Sequence, residues 1–296
     1  MRKKYLLIIQ LLLFGQLYSQ IKITSQRVIA EKDSIEFGYP IFSKDGKQIY
    51  FTTLDYKDIW QSTTEIINPR KVVEGELIGY GFSVSDNGNL IAYRKTTWNG
   101  NSRIQENFVK DISKNNTSLI SFGEELQLPK FELLPTKSKT EFGISQKSAS
   151  IILTGIVDEK IQIIANGKSK IIDPIKNGKY IWPKLSPDNK FLVAYELSEG
   201  LIIFDLNGKL ISKLGYFDAP SWTKDGKWII CHKEKDENDS IISSDLFAIS
   251  VNGKKVIQLT NTDQIELYPE TSFTVNEIVC HTKNGKIILF NFGFSE

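Results

Sequence analysis

The chain of 296 residues carries 37 Lys and Arg against 35 Asp and Glu, with 24% charged and 41% hydrophobic residues. This near-neutral balance excludes the basic footprint of a nucleic-acid binder and the polybasic patch of a membrane-surface protein. The composition is that of a globular protein, and the length suffices for one large domain with a well-buried interior.

Residues 1–19 read as a secretory signal peptide. Arg2, Lys3 and Lys4 give a positive start, and an apolar run over 5–14, interrupted by Gln10, follows. That run is shorter than the ~20 residues needed to span a bilayer. Cleavage is expected after Ser19. It removes three basic residues and no acid, leaving 34 basic against 35 acidic residues. No cysteine lies near the segment to carry a lipid anchor, so the expected location is periplasmic or secreted. The remaining residues, 20–296, show no Pro- or Ser-rich linker and are expected to form one domain.

Residues 22–30 look like a lone strand, after which a short pattern of strand, tight turn and strand recurs. Its clearest copy is Pro220-Ser221-Trp222-Thr223-Lys224-Asp225-Gly226-Lys227-Trp228-Ile229-Ile230. Aligned on the hydroxyl residue before the turn, the copies fall at Ser43, Ser85, Ser145, Ser186, Thr223 and Ser272, with gaps of 42, 60, 41, 37 and 49 residues. A period in the forties built of short strands is the signature of propeller blades. Six residues past the hydroxyl stand Ile49, Ile91, Ile151, Leu192, Ile229 and Ile278, as a strand buried between neighbours requires. The turns Asp45-Gly46, Asn87-Gly88 and Asp225-Gly226 suit tight hairpins, because Gly takes positive φ without a Cβ clash. The third and sixth copies lack that chemistry. Three residues before the hydroxyl stand Pro40, Pro183, Pro220 and Pro269, with Phe82 and Phe142 in the other copies. Proline donates nothing to a ladder, so it belongs on an edge strand, here the innermost one.

The first five blades are expected at about 38–73, 79–122, 140–173, 180–214 and 217–260. The sixth has three readable strands, at about 267–272, 277–282 and 286–291, and is one strand short. Residues 22–30 are expected to supply the missing outer strand and so close the ring. An insertion at about 123–139 is expected to be an irregular surface loop or an extra edge segment, and residues 233–240 a charged, solvated hairpin tip.

The pattern Pro-x-aromatic-Ser-x-Asp-Gly-Lys-x-Ile-x-Phe, nearly complete from Pro40 to Phe51, resembles the repeat of the TolB-type, WD-like β-propellers. Leu259-Thr260-Asn261-Thr262, followed by Glu266 and Pro269, is similar to that family's blade junction. The resemblance covers about residues 22–296 and implies an all-β fold, a six-bladed propeller of four-stranded antiparallel blades. It implies no activity, since this propeller serves unrelated roles. TolB carries an α/β domain before its propeller; this chain has no room for one, so TolB's envelope role is not carried over.

No catalytic constellation stands out, and no cofactor or metal is expected. The only histidines, His232 and His281, each follow a cysteine. Two Cys-His pairs suggest zinc, but they occupy equivalent columns of adjacent blades and are expected to pack between blades without converging. Cys231 and Cys280 are expected to be free, buried thiols. No Gly-x-Ser-x-Gly elbow or Walker loop occurs. Glu36, Asp218, Glu266 and Glu270 fall near the starts of inner strands, where solvated rim charges are the plain expectation. Tyr39, Trp182 and Tyr268 precede Pro40, Pro183 and Pro269, with Tyr80 and Tyr180 close by. Aromatics with polar tips suit a binding rim. The expected function is a non-enzymatic, monomeric scaffold that takes a protein or peptide partner at the channel mouth through Tyr39, Trp182, Asp218, Glu266 and Tyr268. The alternative is a hydrolase or lyase acting on a carbohydrate or lactone in the channel.

Overall fold

The computed structural model describes residues 20–295, apart from 66, 125, 127, 135 and 143–150. The expected signal peptide, Ser145 and the Lys147-Ser148 turn lie outside the described residues. Strand β1 (Gln20–Ala30) precedes the first blade, β2 (Phe37–Phe42), β3 (Gln48–Thr53), β4 (Ile59–Thr63) and β5 (Arg70–Val73). The second blade is β6 (Ser83–Val84), β7 (Leu90–Asn99), β8 (Ser102–Asp111) and β9 (Asn116–Gly123). The third has three described strands, β10 (Ile151–Val157), β11 (Lys160–Ala165) and β12 (Lys168–Ile172). The fourth is β13 (Tyr180–Leu185), β14 (Phe191–Glu196), β15 (Gly200–Asp205) and β16 (Leu210–Gly215). The fifth is β17 (Asp218–Trp222), β18 (Trp228–Glu237), β19 (Ser240–Ser250) and β20 (Val256–Gln258). The sixth is β21 (Glu266–Thr271), β22 (Glu277–Thr282) and β23 (Ile287–Ser295), completed by β1 in the order β1-β23-β22-β21. Every pairing is antiparallel. The molecule is a six-bladed propeller, and its first strands meet their neighbours' around the axis: β13 with β17, β17 with β21, β21 with β2.

The recurring hydroxyl has a structural reason. Ser186 Oγ donates to Asp188 Oδ1 at 2.7 Å and accepts the Phe191 amide at 2.9 Å, clasping the turn at both ends. Ser43 with Asp45, Ser85 with Asn87 and Thr223 with Asp225 repeat the clasp. At the turn Gly46 and Gly226 take φ of +73° and +66°, and Asn189 takes +59° where the fourth copy has no Gly. The sixth copy keeps only a weaker version, Ser272 to Thr274 at 3.4 Å.

The aliphatic column is fully buried where it is described, apart from the half-buried Ile151: Ile49, Ile91, Leu192, Ile229 and Ile278 are all 0% exposed. The core is a set of clusters, most of them between blades. Cys280 packs with Ile21, Ile230, Leu246 and Phe290, while Cys231 packs with Ile203, Trp222 and Ile229. Both thiols are free and buried.

The insertion after β9 is neither the surface loop nor the extra edge segment expected. Among the described residues, a 3-10 turn (Phe131–Leu133) lies within it and a short helix, α1 (Thr136–Glu141), ends it. Phe131 and Leu134 are buried against Leu90, Ala92 and Val109. Arg94 donates to the Leu126 carbonyl and Ser83 to that of Pro129, while Lys130 reaches the Leu153 carbonyl of the third blade. The segment folds inward because it carries apolar residues that a solvated loop would leave in water.

Candidate functional site

One backbone irregularity builds the site, and it recurs in four blades. Gly38 pairs with Thr52, then Ile41 with Tyr50; Ile181 pairs with Tyr195, then Lys184 with Val193. Asp218 with His232 and Ser221 with Ile230, then Leu267 with His281 and Glu270 with Val279, repeat the spacing. Three steps on the inner strand match two on its partner, which is a β-bulge. The residue that opens each bulge has left-handed φ: Tyr39 54°, Trp182 52°, Ala219 46° and Tyr268 49°. In the second blade Gly81, before Phe82, has φ +65°. The proline that follows disfavours right-handed helical backbone at these positions, and the bulge re-aims their side chains.

The result is a continuous chain of rings. Tyr80 meets Tyr56 at 5.3 Å between centroids, Tyr56 stacks on Tyr39 at 4.7 Å, and Tyr39 meets Tyr268 edge-on at 5.1 Å. Tyr268 meets Trp182 at 5.9 Å, and Trp182 meets Tyr195 at 5.8 Å. Trp182 and Tyr268 belong to the fourth and sixth blades; the fifth presents Ala219 between them, and a side chain that small lets the two large rings meet. Just further along the inner strands lies a cavity of about 170 Å³, lined by the three bulge rings with Ile41, Lys184 and Glu270. There Lys184 Nζ pairs with Glu270 Oε2 at 2.8 Å, so Glu270 is not a free rim charge. A larger cavity of about 930 Å³ near Trp60 is lined by three lysines and three acids, of which Lys71 pairs with Asp58.

The histidines correct the expectation that they diverge. His281 stacks on Tyr268 with an interplanar angle of 13°, and His232 lies 5.5 Å from the same ring. They converge because each pairs directly opposite the residue before a bulge. The Tyr39 amide donates to His281 Nδ1 at 3.2 Å. Burial, with His232 nearby, pushes the His281 pKa down to about 3, so its ring is neutral. Burial pushes the Tyr268 phenol up to about 12, helped by Tyr39, Glu234 and Asp218.

Beside this cluster stand Asp218, His232 and Glu234. Their ligating atoms all lie within 4.8 Å of one another, the arrangement in the described residues that could hold a metal. His232 Nε2 is 2.9 Å from Glu234 Oε1. Burial raises the Asp218 pKa, opposed by His232 and reinforced by Glu234 and Asp236. Asp218 is therefore a half-buried member of a polar cluster and not a solvated rim charge.

Of the five expected site residues, Tyr268 touches both Tyr39 and Trp182, and Asp218 is its neighbour. Glu266 stands apart. It is 1% exposed, accepts the Thr262 hydroxyl at 2.7 Å, and its carbonyl accepts Ser244. Burial raises its pKa, so it is a structural carboxyl of the blade junction. Tyr180 is also structural, its phenol donating to Asp173 at 2.7 Å. His232, Glu234, His281, Tyr56 and Tyr195 join the site without having been expected there. A signal existed for three of them: nine residues past the hydroxyl stand Thr52, Arg94, Thr154, Tyr195, His232 and His281, a polar and aromatic column on otherwise apolar strands.

No protein-family model matches the sequence, and no curated protein does. Among solved structures, the β-propeller domain of Cps50 (Swd1) from Myceliophteria thermophila is similar, with a TM-score of 0.62 and 11% identity over 90% of this chain and 99% of that one. An oligogalacturonate lyase from Vibrio parahaemolyticus gives a TM-score of 0.48 and 8% identity over 88% of this chain and 79% of that one. Likeness at such identities shows the propeller fold alone. No helix among the described residues is long and apolar enough to cross a membrane.

Proposed function

We propose that the protein is a secreted or periplasmic binding module, TolB-like in its repeat, that takes an extended protein or peptide segment at the channel mouth. The observation that supports this is the chain of six rings from Tyr80 to Tyr195, drawn from several blades and held by bulges. Rigid aromatics with little side-chain entropy left to lose are the usual anchors of binding surfaces. Tyr80 is 52% exposed and offers the chain's outer end to solvent.

The test is selection of a random peptide-display library on the immobilised protein, followed by affinity measurement on Trp182→Ala combined with Tyr80→Ala. Tyr268 stays, because its ring touches four others and its loss would disturb the fold. Loss of two anchors costs roughly 2–4 kcal/mol of binding, thirtyfold or more in affinity, with the melting temperature little changed. Enriched peptides that bind the double variant equally well would refute the reading.

A second reading, a hydrolase or lyase acting on a carbohydrate or lactone, draws support from the carboxylates of Asp218 and Glu234 sharing one site with His232. It predicts turnover of a glycan or lactone that Asp218→Asn abolishes.

A further inference from the structure

We propose that Asp218, His232 and Glu234 form a binding site for a first-row divalent metal ion of the Zn2+ or Mn2+ kind. The inference stands independently of what the mouth binds. All three donors come from one blade: Asp218 opens β17 directly opposite His232, and His232 and Glu234 stand two residues apart on β18, on one face of that strand. The ladder fixes their spacing, and the three ligating atoms lie within 4.8 Å of one another. The 2.9 Å between His232 Nε2 and Glu234 Oε1 is close to the ~3 Å that separates adjacent ligands of an octahedral ion with bonds of about 2.1 Å.

His232 Nε2, the nitrogen that faces Glu234, is the ligating atom, on a side chain only 1% exposed. A cation in the cluster takes the Nε2 lone pair and lies between two carboxylates that otherwise repel. One imidazole nitrogen with two carboxylate oxygens is a borderline donor set that suits Zn2+ or Mn2+, whereas Ca2+ prefers oxygen alone. Three protein donors fill neither a tetrahedral nor an octahedral shell, so water or an oxygen of a bound ligand completes it, next to Tyr268.

The experiment is calorimetric titration of chelator-treated protein with Zn2+, Mn2+ and Ca2+. One Zn2+ per chain is expected, bound more tightly than Mn2+ and far more tightly than Ca2+. Glu234→Gln and Asp218→Asn, both at half-buried positions that tolerate an isosteric amide, should each weaken Zn2+ at least tenfold. Asp86→Asn, at an exposed turn of the second blade, should leave the affinity unchanged. Absence of binding overturns the proposal. So does Zn2+ affinity unaltered in both amide variants, an equal loss in Asp86→Asn, or tighter binding of Ca2+ than of Zn2+.

Discussion

His281 shows how one position couples the fold to pH. Its ring lies flat against Tyr268, its Nδ1 accepts the Tyr39 amide, and burial holds its pKa down to about 3. An unfolded histidine titrates near 6.5. Between these values the unfolded chain takes up a proton that the folded chain refuses, so stability present above about pH 6.5 is lost as pH falls. From pH 6.5 to 4.5 the loss from this one group is roughly 2–3 kcal/mol. His281→Asn keeps an acceptor for the Tyr39 amide and cannot titrate. Denaturant unfolding at pH 7 and 4.5 should show the variant losing about 2 kcal/mol less than the wild type between the two. Equal losses would mean that His281 protonates within the folded state. The turn residue Asp188 acts in a lower window. The Ser186 hydroxyl and Lys190 hold the Asp188 pKa down, so its contribution is present above about pH 4 and fades only below it. Ser186→Ala removes the clasp itself, leaving the part-buried Phe191 amide without its acceptor, and should cost about 1–2 kcal/mol in the same assay.

The blade was legible in its turns and its apolar column, because both are chemical requirements repeated at fixed spacing. Hydroxyl, Asp and Gly close the hairpin, and an aliphatic residue six positions on enters the core; Ser43 to Ile49 states this as clearly in sequence as in structure. The bulge was not legible. One extra residue on an inner strand changes no composition, and its only trace was a proline read as an edge marker. That omission explains the misjudged histidines: without the bulge register, His232 and His281 are ordinary strand residues, and with it they face the bulge rings. Glu266 was misplaced for a related reason, since nearness to an inner strand's start does not say which way a side chain points. The bulge also makes Ala219 a specific requirement, as its methyl leaves the space in which Trp182 meets Tyr268. Ala219→Leu should wedge the rings apart and reduce the near-ultraviolet circular dichroism of the aromatics, with a stability loss of about 1–3 kcal/mol from overpacking. An unchanged aromatic spectrum would show that the two rings do not depend on the gap.

Closure of the ring is a property of the whole chain, because it joins residues from its two ends. β1 pairs with β23 from Gln20 opposite Ser295 to Ala30 opposite Ile287. Ile21, Ile29 and Ala30 are buried, the first against Phe290 and Phe292 and the other two against Leu289 and Phe37. Burying each isoleucine contributes roughly 1.5–3 kcal/mol, and the strand also covers the β23 edge, which would otherwise template aggregation. Deleting residues 20–31 should therefore remove more than one blade's worth of local order: without the strap, the first and sixth blades lose their shared cluster and cooperative unfolding is abolished. A deletion variant that melts like the full chain would contradict this. Such a result could not be set aside as unspecific damage, because a circular permutant supplies the control. Gln20 and Ser295 are paired, so a short Gly-rich turn can join them as a hairpin, and new ends can open at the exposed tip between Asn238 and Asp239. The permutant keeps every strand, makes the β1–β23 strap local, and moves the pairing of the two chain ends to β18 and β19. It should unfold in one cooperative transition at nearly the wild-type temperature and refold at a rate close to that of the wild type, since closing the ring still joins the two ends of the chain. A permutant that unfolds in separate stages would show that closure through β1 and β23 in particular, and not closure of the ring as such, enforces cooperativity.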